Sequence, residues 1–195
     1  MPPLPESGPM GGRPTAGSHG WQVCVVTQAP MLLEVEAILR AVSGALDPVT
    51  PLSRSLERAA GPDLLKRLQA MGEIPVGGAV VTPGGDLNAT FLIHAVIQSR
   101  DEAPSPDTVR KALVNGLRRA GELGVASLAL PALGVGAGAL DAEASARLTV
   151  DTFRDHMGIS PGPSRLYITV NDGYESEAFQ RELDRAFPLA VFDHS

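Results

Sequence analysis

Short apolar runs rich in β-branched residues alternate along this chain with longer segments of helical spacing, and this alternation constrains the fold more than any other feature. Such an order is typical of α/β domains with a largely parallel sheet, because parallel neighbours need a crossover connection that is usually a helix. The candidate strands, each bounded by Gly, Pro, Asn or Asp, are 21–27, 35–41, 78–83, 91–97, 126–133 and 165–171.

The clearest helix is predicted over residues 105–124. Ser105 or Asp107 can cap it, Pro106 suits a first-turn position, and Gly124 ends the apolar periodicity. A proline inside a helical pattern interrupts or kinks the helix, and Pro62 is expected to do so in the helix predicted over 53–71. The remaining helices are predicted over 53–71, 141–156 and 174–186.

The chain has 195 residues, which is enough for one well-buried domain and a short tail. Residues 1–19 are mostly Pro, Gly and Ser with almost nothing to bury, so they are predicted to form a flexible leader. A single domain is expected over residues 20–190, and its first strand begins at Trp21.

Composition excludes several classes of function. The formal net charge of -6 provides no basic field for a polyanion, so no nucleic-acid partner is expected. Cys24 is the only cysteine, which excludes an intrachain disulfide and a cysteine-based metal site and favours a reducing compartment. No apolar stretch is long enough to span a membrane, and residues 1–20 lack the apolar core of a signal peptide. We therefore expect a cytoplasmic protein with no membrane partner, no metal site and no cofactor.

A loop between a predicted strand and a predicted helix carries three glycines at alternate positions, Gly134, Gly136 and Gly138. Glycine lets the backbone approach a ligand closely, and free amides at a helix N-terminus attract anions. The spacing fits the loose dinucleotide fingerprint G-x-G-x-x-A, but no acidic residue closes the next strand about 20 residues on. No Gly-Lys-Ser/Thr follows, as a P-loop requires. Spacing alone leaves a phosphate cradle and a tight turn as alternatives.

Three segments, taken in order, resemble the macrodomain family, the ADP-ribose-binding (Appr-1''-p processing) α/β modules. They are 72–96 with VGGAVVT and FLIHAV, 107–140 with ALPALGVGAG, and 165–183, where a strand runs into an acidic turn and a helix. The resemblance covers most of residues 72–186. It implies a three-layer fold in which a mixed, mostly parallel six-stranded sheet lies between helices. It also implies a ligand at the carboxyl ends of the strands, as in open α/β sheets generally.

The resemblance implies that the loop 133–139 lies over the diphosphate and the distal ribose of the ligand. Val135 stands where the family usually has Ser or Thr, and Ala137 stands where a larger apolar or aromatic residue often covers the ribose. The backbone cradle is therefore expected to persist with smaller side chains around it. The implied ligand-binding residues of this loop are Leu133, Gly134, Val135, Gly136, Ala137, Gly138 and Ala139.

The segment 27–56 departs from the family pattern. TQAPM at 27–31 has Ala29 or Pro30 in place of the Asp that binds the adenine amino group in the family. Arg40-Ala41-Val42-Ser43 replaces the asparagine motif, which in hydrolytic members holds the distal ribose and helps to place the attacking water. Residues 44–56 are not a glycine cradle. The chain is therefore expected to be a divergent member that lacks the asparagine motif and does not hydrolyse efficiently by the usual route.

Four side chains outside the glycine loop are also candidates for a functional or structural role. Arg40 either pairs with a phosphate through two N–H groups or is a salt-bridged or solvated arginine at a strand end. Ser43 is a candidate substitute for the lost asparagines. Asn171 stands where an aromatic residue often stacks on the adenine of the ligand. His94 is predicted to be a buried, hydrogen-bonded structural histidine and not a general base.

The function that these residues favour is a binding module for ADP-ribose or a related nucleotide diphosphate, free or carried by an ADP-ribosylated protein. One alternative is a hydrolase that removes ADP-ribose from protein or the acetyl group from O-acetyl-ADP-ribose, with Ser43, Arg40 or a loop-held water in place of the asparagines. The other alternative is a structural domain whose pocket has decayed.

Overall fold

A computed structural model describes residues 15–16, 21–137, 139–157 and 162–188 of the chain. The predicted leader, residues 1–19, lies outside the described residues except for Thr15 and Ala16. Gly138 and both ends of the predicted domain, residues 20 and 189–190, also lie outside them.

The described strands form one sheet. They are β1 Thr15–Ala16, β2 Gln22–Val26, β3 Ala37–Ser43, β4 Ala79–Pro83, β5 Phe91–Gln98, β6 Ser127–Pro131 and β7 Arg165–Thr169. Their order across the sheet is β1-β2-β7-β6-β3-β5-β4. The five central strands are parallel to one another, and the two edge strands, β1 and β4, pair antiparallel. All six predicted strands are present, which confirms the mixed and mostly parallel sheet. The two-residue strand β1 had no counterpart among the sequence predictions.

The described helices are α1 Pro51–Ala59, α2 Pro62–Met71, α3 Pro106–Leu123, α4 Ala142–Met157 and α5 Gly173–Ala186. The helical segment predicted over 53–71 is divided in two, because Pro62 begins α2 and Gly61, with φ 85°, turns the chain between the helices. None of the described helices is long and apolar enough to cross a membrane.

The predicted caps of α3 are confirmed. Ser105 Oγ accepts from the Thr108 amide at 3.2 Å, and the Ser105 amide donates to Thr108 Oγ1 at 2.8 Å. This reciprocal arrangement satisfies two backbone donors that the helix itself leaves free. Gly124 ends the helix in the left-handed region, at φ 65°. The chain therefore enters β6 from a defined position.

Helices cover both faces of the sheet, so the molecule has three layers. On β3 the side chains alternate between two buried apolar clusters: Ala37, Leu39 and Ala41 belong to the cluster beneath α3, α4 and α5, whereas Ile38 and Val42 belong to the cluster beneath α1 and α2. This alternation follows from the two-residue period of a strand. A residue's place in β3 therefore decides which helix layer its side chain faces.

We expect Ser105→Ala to lower the free energy of unfolding by about 1 kcal/mol, because it removes the side-chain acceptor of the capping box. Chemical denaturation at neutral pH measures the change. Ser176→Ala is the matched control, since Ser176 lies within α5 and does not cap it. Equal stability of the Ser105→Ala variant and the wild type would contradict the assignment of Ser105 as the cap.

Candidate functional site

A cleft of about 490 Å³ opens at the carboxyl ends of β2, β3, β6 and β7. Its volume lies within the roughly 300–1,000 Å³ that is usual for small-molecule sites, and its position is the usual one in open α/β sheets. All of its lining side chains are uncharged. They are Thr27, Gln28, Ala29, Pro30, Ala41, Thr50, Pro51, Leu52, Pro131, Ala132, Leu133, Gly134, Gly136, Thr169, Val170 and Asn171.

The glycine loop forms one wall of the cleft. Gly134 has φ 86°, and its carbonyl accepts from the Ala139 amide at 3.0 Å and the Leu140 amide at 3.3 Å. The positive φ favours glycine here, and an added Cβ would also lie 2.9 Å from Leu140 Cδ1, so the Leu140 side chain would have to move. Among the described residues, the amides of Gly134, Val135 and Gly136 donate to no backbone or side-chain atom. Gly134 and Gly136 line the cleft, so their amides are available to an acceptor there.

The N-terminal turn of α1 forms the opposite wall. Thr50 Oγ1 caps the helix by accepting from the Ser53 amide at 3.0 Å, and Pro51 occupies the first turn. The two walls come close together, because a Cβ on Gly136 would lie only 3.1 Å from Thr50 Cγ2. The positive end of the α1 dipole and the free loop amides therefore act on the same volume.

The structure brings four of the predicted site residues to the cleft: Leu133, Gly134, Gly136 and Asn171. Val135, Ala137 and Ala139 lie in the same loop, where they are partly buried against the core, and do not line the cleft. Gly138 lies outside the described residues. The loop therefore presents backbone to the cleft at its two described glycines and only one apolar side chain, Leu133.

Arg40 does not reach the cleft. It is fully buried beneath α1, where Nη1 donates to the Ser53 carbonyl at 3.1 Å and to Glu57 Oε2 at 2.9 Å. Its place in β3 directs it to the α1 layer, beside Ile38 and Val42. This geometry corrects the hypothesis that Arg40 pairs with a phosphate and supports the alternative of a salt-bridged arginine.

Ser43 does not line the cleft either. It lies beside a separate cavity of about 890 Å³, together with Asp47 and Gln98. Its hydroxyl accepts from the Asp47 amide at 3.2 Å, which closes the turn after β3. The structure therefore does not support Ser43 as a substitute for the asparagine motif at the glycine loop. The physical reason is that Ser43, the last residue of β3, is separated from the start of α1 by the turn over residues 44–50, and only the α1 end of this turn borders the cleft.

Asn171 is held at the rim of the cleft by Glu175. Its backbone amide donates to Glu175 Oε2 at 2.7 Å, and its side-chain Nδ2 donates to Oε1 at 3.1 Å. The Glu175 amide in turn donates to Asp172 Oδ1 at 2.9 Å, so Asp172 is the N-cap of α5. The amide oxygen of Asn171 is left to face solvent or ligand.

His94 is a structural histidine, as predicted. It is fully buried in β5, and its Nδ1 accepts from Arg40 Nε at 2.8 Å. A ring nitrogen that accepts carries no proton, so Nε2 carries the proton and donates to Thr82 Oγ1, 2.8 Å away. Burial first, and then the neighbouring Arg40 charge, hold the pKa of His94 well below its usual range.

Sequence reasoning missed the α1 wall of the cleft, formed by Thr50, Pro51 and Leu52. A signal for it was present, because a Thr followed by Pro is typical of an N-cap and first helical residue and places the helix start at residue 51 and not 53. Gln28 was also missed. It lies in the segment that replaces the family's Asp, and its Nε2 donates to the Leu32 carbonyl at 3.1 Å. Within the described residues, no three His, Cys, Asp or Glu side chains are grouped to hold a metal ion.

Fold and site together define a three-layer α/β module with a glycine-lined cleft at the carboxyl ends of its parallel strands. A family model described as Macro domain matches residues 41–149. The chain is 33% identical to the O-acetyl-ADP-ribose deacetylase of Enterobacter sp. (strain 638), over 83% of this chain and 93% of that protein. It is 36% identical to an uncharacterized protein of Mycobacterium tuberculosis (strain ATCC 25618 / H37Rv), over 82% of this chain but 42% of that protein. The chain belongs to the macro domain family.

Solved structures agree in fold. A mutant of the Oceanobacillus iheyensis macrodomain superposes with a TM-score of 0.81 at 19% identity, over 93% of this chain and 96% of that chain. The Trypanosoma brucei macrodomain in complex with ADP-ribose gives a TM-score of 0.75 at 20% identity, over 87% of this chain and 73% of that chain. The three-layer fold that the sequence resemblance implied is therefore confirmed.

We expect the free energy of unfolding to fall as the pH drops below about 6.5, because His94 accepts a proton readily in the unfolded chain but not in the folded one. The fall approaches about 1.4 kcal/mol per pH unit and stops at the folded-state pKa. Urea unfolding across this range, compared between the wild type and His94→Gln, measures the contribution of His94.

The contribution of His94 is the difference in unfolding free energy between the wild type and His94→Gln at each pH. Burial also lowers the pKa of His156, but His156 is present in both proteins and its contribution cancels. A wild type and a His94→Gln variant with parallel stability profiles would show that His94 titrates equally in the folded and unfolded chains.

Proposed function

We propose that the protein binds ADP-ribose or a related nucleotide diphosphate in this cleft. The observation that carries the proposal is the convergence of the free loop amides at Gly134–Gly136 with the capped N-terminus of α1 on one volume. Main-chain N–H groups and a helix dipole favour an anion without any charged side chain. The likeness to a macrodomain in complex with ADP-ribose supports this choice of ligand.

The uncharged lining of the cleft determines how a diphosphate would be held. No Arg or Lys is among the described residues that line the cleft, so the diphosphate is held by directional hydrogen bonds and not by a cationic side chain. A protein of net charge -6 also provides no long-range attraction for the nucleotide. Affinity then depends on how accurately the two walls are placed, and small displacements of the loop are expected to weaken binding.

We propose an ADP-ribosylated protein as the physiological partner, because the cleft opens to solvent at the sheet edge and the proposed ligand can be carried on a larger molecule. We place this interaction in the cytoplasm. The single cysteine supports a reducing compartment, and Cys24 is half-buried with a thiol pKa raised by burial.

Gly134→Ala is expected to weaken ADP-ribose binding by about tenfold or more, because the new Cβ strains a left-handed residue and displaces the loop. Titration calorimetry with the wild type and the variant measures the change.

Gly124→Ala is the matched control. Gly124 also has positive φ, at 65°, but an added Cβ there meets no atom within 4 Å, and the residue lies at the end of α3 away from the cleft. Both variants should lose about 1–2 kcal/mol of stability, whereas the control keeps its affinity for ADP-ribose. A wild type that gives no heat and no thermal shift with millimolar ADP-ribose would refute the proposal.

Hydrolysis of O-acetyl-ADP-ribose is the second candidate function, and the 33% identity to a protein of that activity favours it. The cleft itself argues against efficient turnover, because none of its lining side chains is a carboxylate, histidine or other group that transfers protons near neutral pH. At the β3 end it presents Ala41, while Arg40 and Ser43 lie elsewhere.

We therefore expect binding of O-acetyl-ADP-ribose without efficient deacetylation. Incubation of saturating substrate with the protein, followed by chromatographic separation of ADP-ribose, measures turnover. A heat-denatured sample is the control for spontaneous deacetylation. Turnover well above that control and lost in Gly134→Ala would establish the enzyme and overturn the simple binding module.

A further inference from the structure

A fully buried arginine lies directly behind the α1 wall of the cleft. Arg40 comes from β3, and its guanidinium contacts α1 at the Ser53 carbonyl and at Glu57. Ser53 follows Leu52 immediately, so the contact is one residue from the lining of the cleft. The arginine therefore connects the centre of the sheet to the helix turn that faces the proposed ligand.

We infer that Arg40 is a positioning residue that fixes the N-terminal turn of α1 against the sheet and thereby sets the distance between the two walls of the diphosphate site. The inference rests on the proposed function. Arg40 does not touch the ligand volume, and its action passes through α1.

The hydrogen bonds form a continuous path from the sheet to the cleft. Arg40 Nη1 donates to the Ser53 carbonyl, and the Ser53 hydroxyl donates to the Ala41 carbonyl at 2.7 Å. The Ser53 amide donates to the Thr50 side chain, which approaches Gly136 across the cleft. Displacement of Ser53 along the helix axis would therefore move the wall at Thr50 relative to the glycine loop.

Apolar packing alone does not fix α1 in this way. Leu56 is the only fully buried apolar side chain of the helix, and Leu52 packs against the same cluster in a partly buried position. Apolar burial is non-directional, so these contacts do not set the position of the helix along its axis. The guanidinium is different, because it is a planar fork whose donors require acceptors at set angles. Its Nε is fixed by His94 and Nη1 by α1, so the guanidinium sets the helix at one height above β3.

Stability is not a sufficient reason for an arginine at this place. A buried ion pair is often no more stabilising than apolar residues of similar volume. In the part of the chain that the structure describes, Arg40 Nη2 has no hydrogen-bond partner, which is unfavourable for a buried donor. Burial also lowers the pKa of Arg40, against the opposing influence of Glu57. What the arginine provides instead is a directional connection between sheet and helix.

The test compares ADP-ribose with adenosine, which lacks the diphosphate, in the wild type and in Arg40→Met. Methionine keeps a similar length and apolar stem but has no donors. We expect the Kd for ADP-ribose to rise about tenfold, because the helix terminus moves, while the Kd for adenosine changes by less than about twofold. Hydrogen exchange of the free protein should be faster at the α1 amides and unchanged at the α3 amides.

Two further variants make the result decisive. Ser53→Ala removes the hydroxyl bond to Ala41 and should show a smaller effect of the same kind, which carries the test if Arg40→Met does not fold. Leu117→Ala, at a fully buried position of α3 on the other face of the sheet, is the control for general loss of stability. It should leave both affinities unchanged at temperatures where the variant is folded.

The outcomes separate this inference from the proposed function. If the wild type and Arg40→Met bind ADP-ribose with the same affinity, the inference is overturned and the proposed function is not. If Arg40→Met lowers the affinities for ADP-ribose and adenosine equally, the inference is also overturned, because that result would indicate a general structural role for Arg40. A wild type that does not bind ADP-ribose would overturn the proposed function and the inference with it.

Discussion

The parallel pairing of the five central strands is the constraint on which the rest of the structure depends. Strands that run in one direction end at one edge of the sheet, so the segments that follow them are brought together whatever their distance in sequence. The glycine loop follows β6, Asn171 follows β7, and the turn that leads into α1 follows β3. Each of these segments is short, because a helix must begin soon after it to return the chain across the sheet. Helix N-termini and loop amides are therefore concentrated where the cleft lies.

The proposed diphosphate site relies on backbone amides and not on charged side chains. Gly134 and Gly136 line the cleft without side chains, and Gly136 lies close to Thr50 of the α1 wall. The full positive charge nearby belongs to Arg40, which is behind α1 and compensated by Glu57. That arrangement also determines the state of His94. The ring is fully buried and a guanidinium donates to Nδ1, so the neutral ring is favoured. The buried network of His94, Arg40 and Glu57 therefore affects both the position of α1 and the pH dependence of stability.

The fold was largely predictable from the sequence, because strands buried on both faces appear as short apolar runs and the cap signals at Ser105 and Gly124 are local. The site was less predictable. Which face of β3 carries Arg40 depends on register against β5 and β6, and this is set by long-range pairing. The same pairing separates Ser43 from the glycine loop. Gly134 was predictable because its left-handed conformation requires glycine, whereas the α1 wall at Thr50 gains its role only from tertiary contact with Gly136.

Amide chemical shifts measured during a titration with ADP-ribose test most directly whether backbone amides hold the ligand. We expect the largest shifts at Gly134 and Gly136 and at Leu52 in the first turn of α1, because these amides belong to residues that line the cleft and gain an acceptor when the diphosphate binds. The cavity beside Ser43 should show only small changes. Largest shifts at that cavity, or shifts that leave the glycine loop unchanged while ADP-ribose binds, would contradict the backbone cradle.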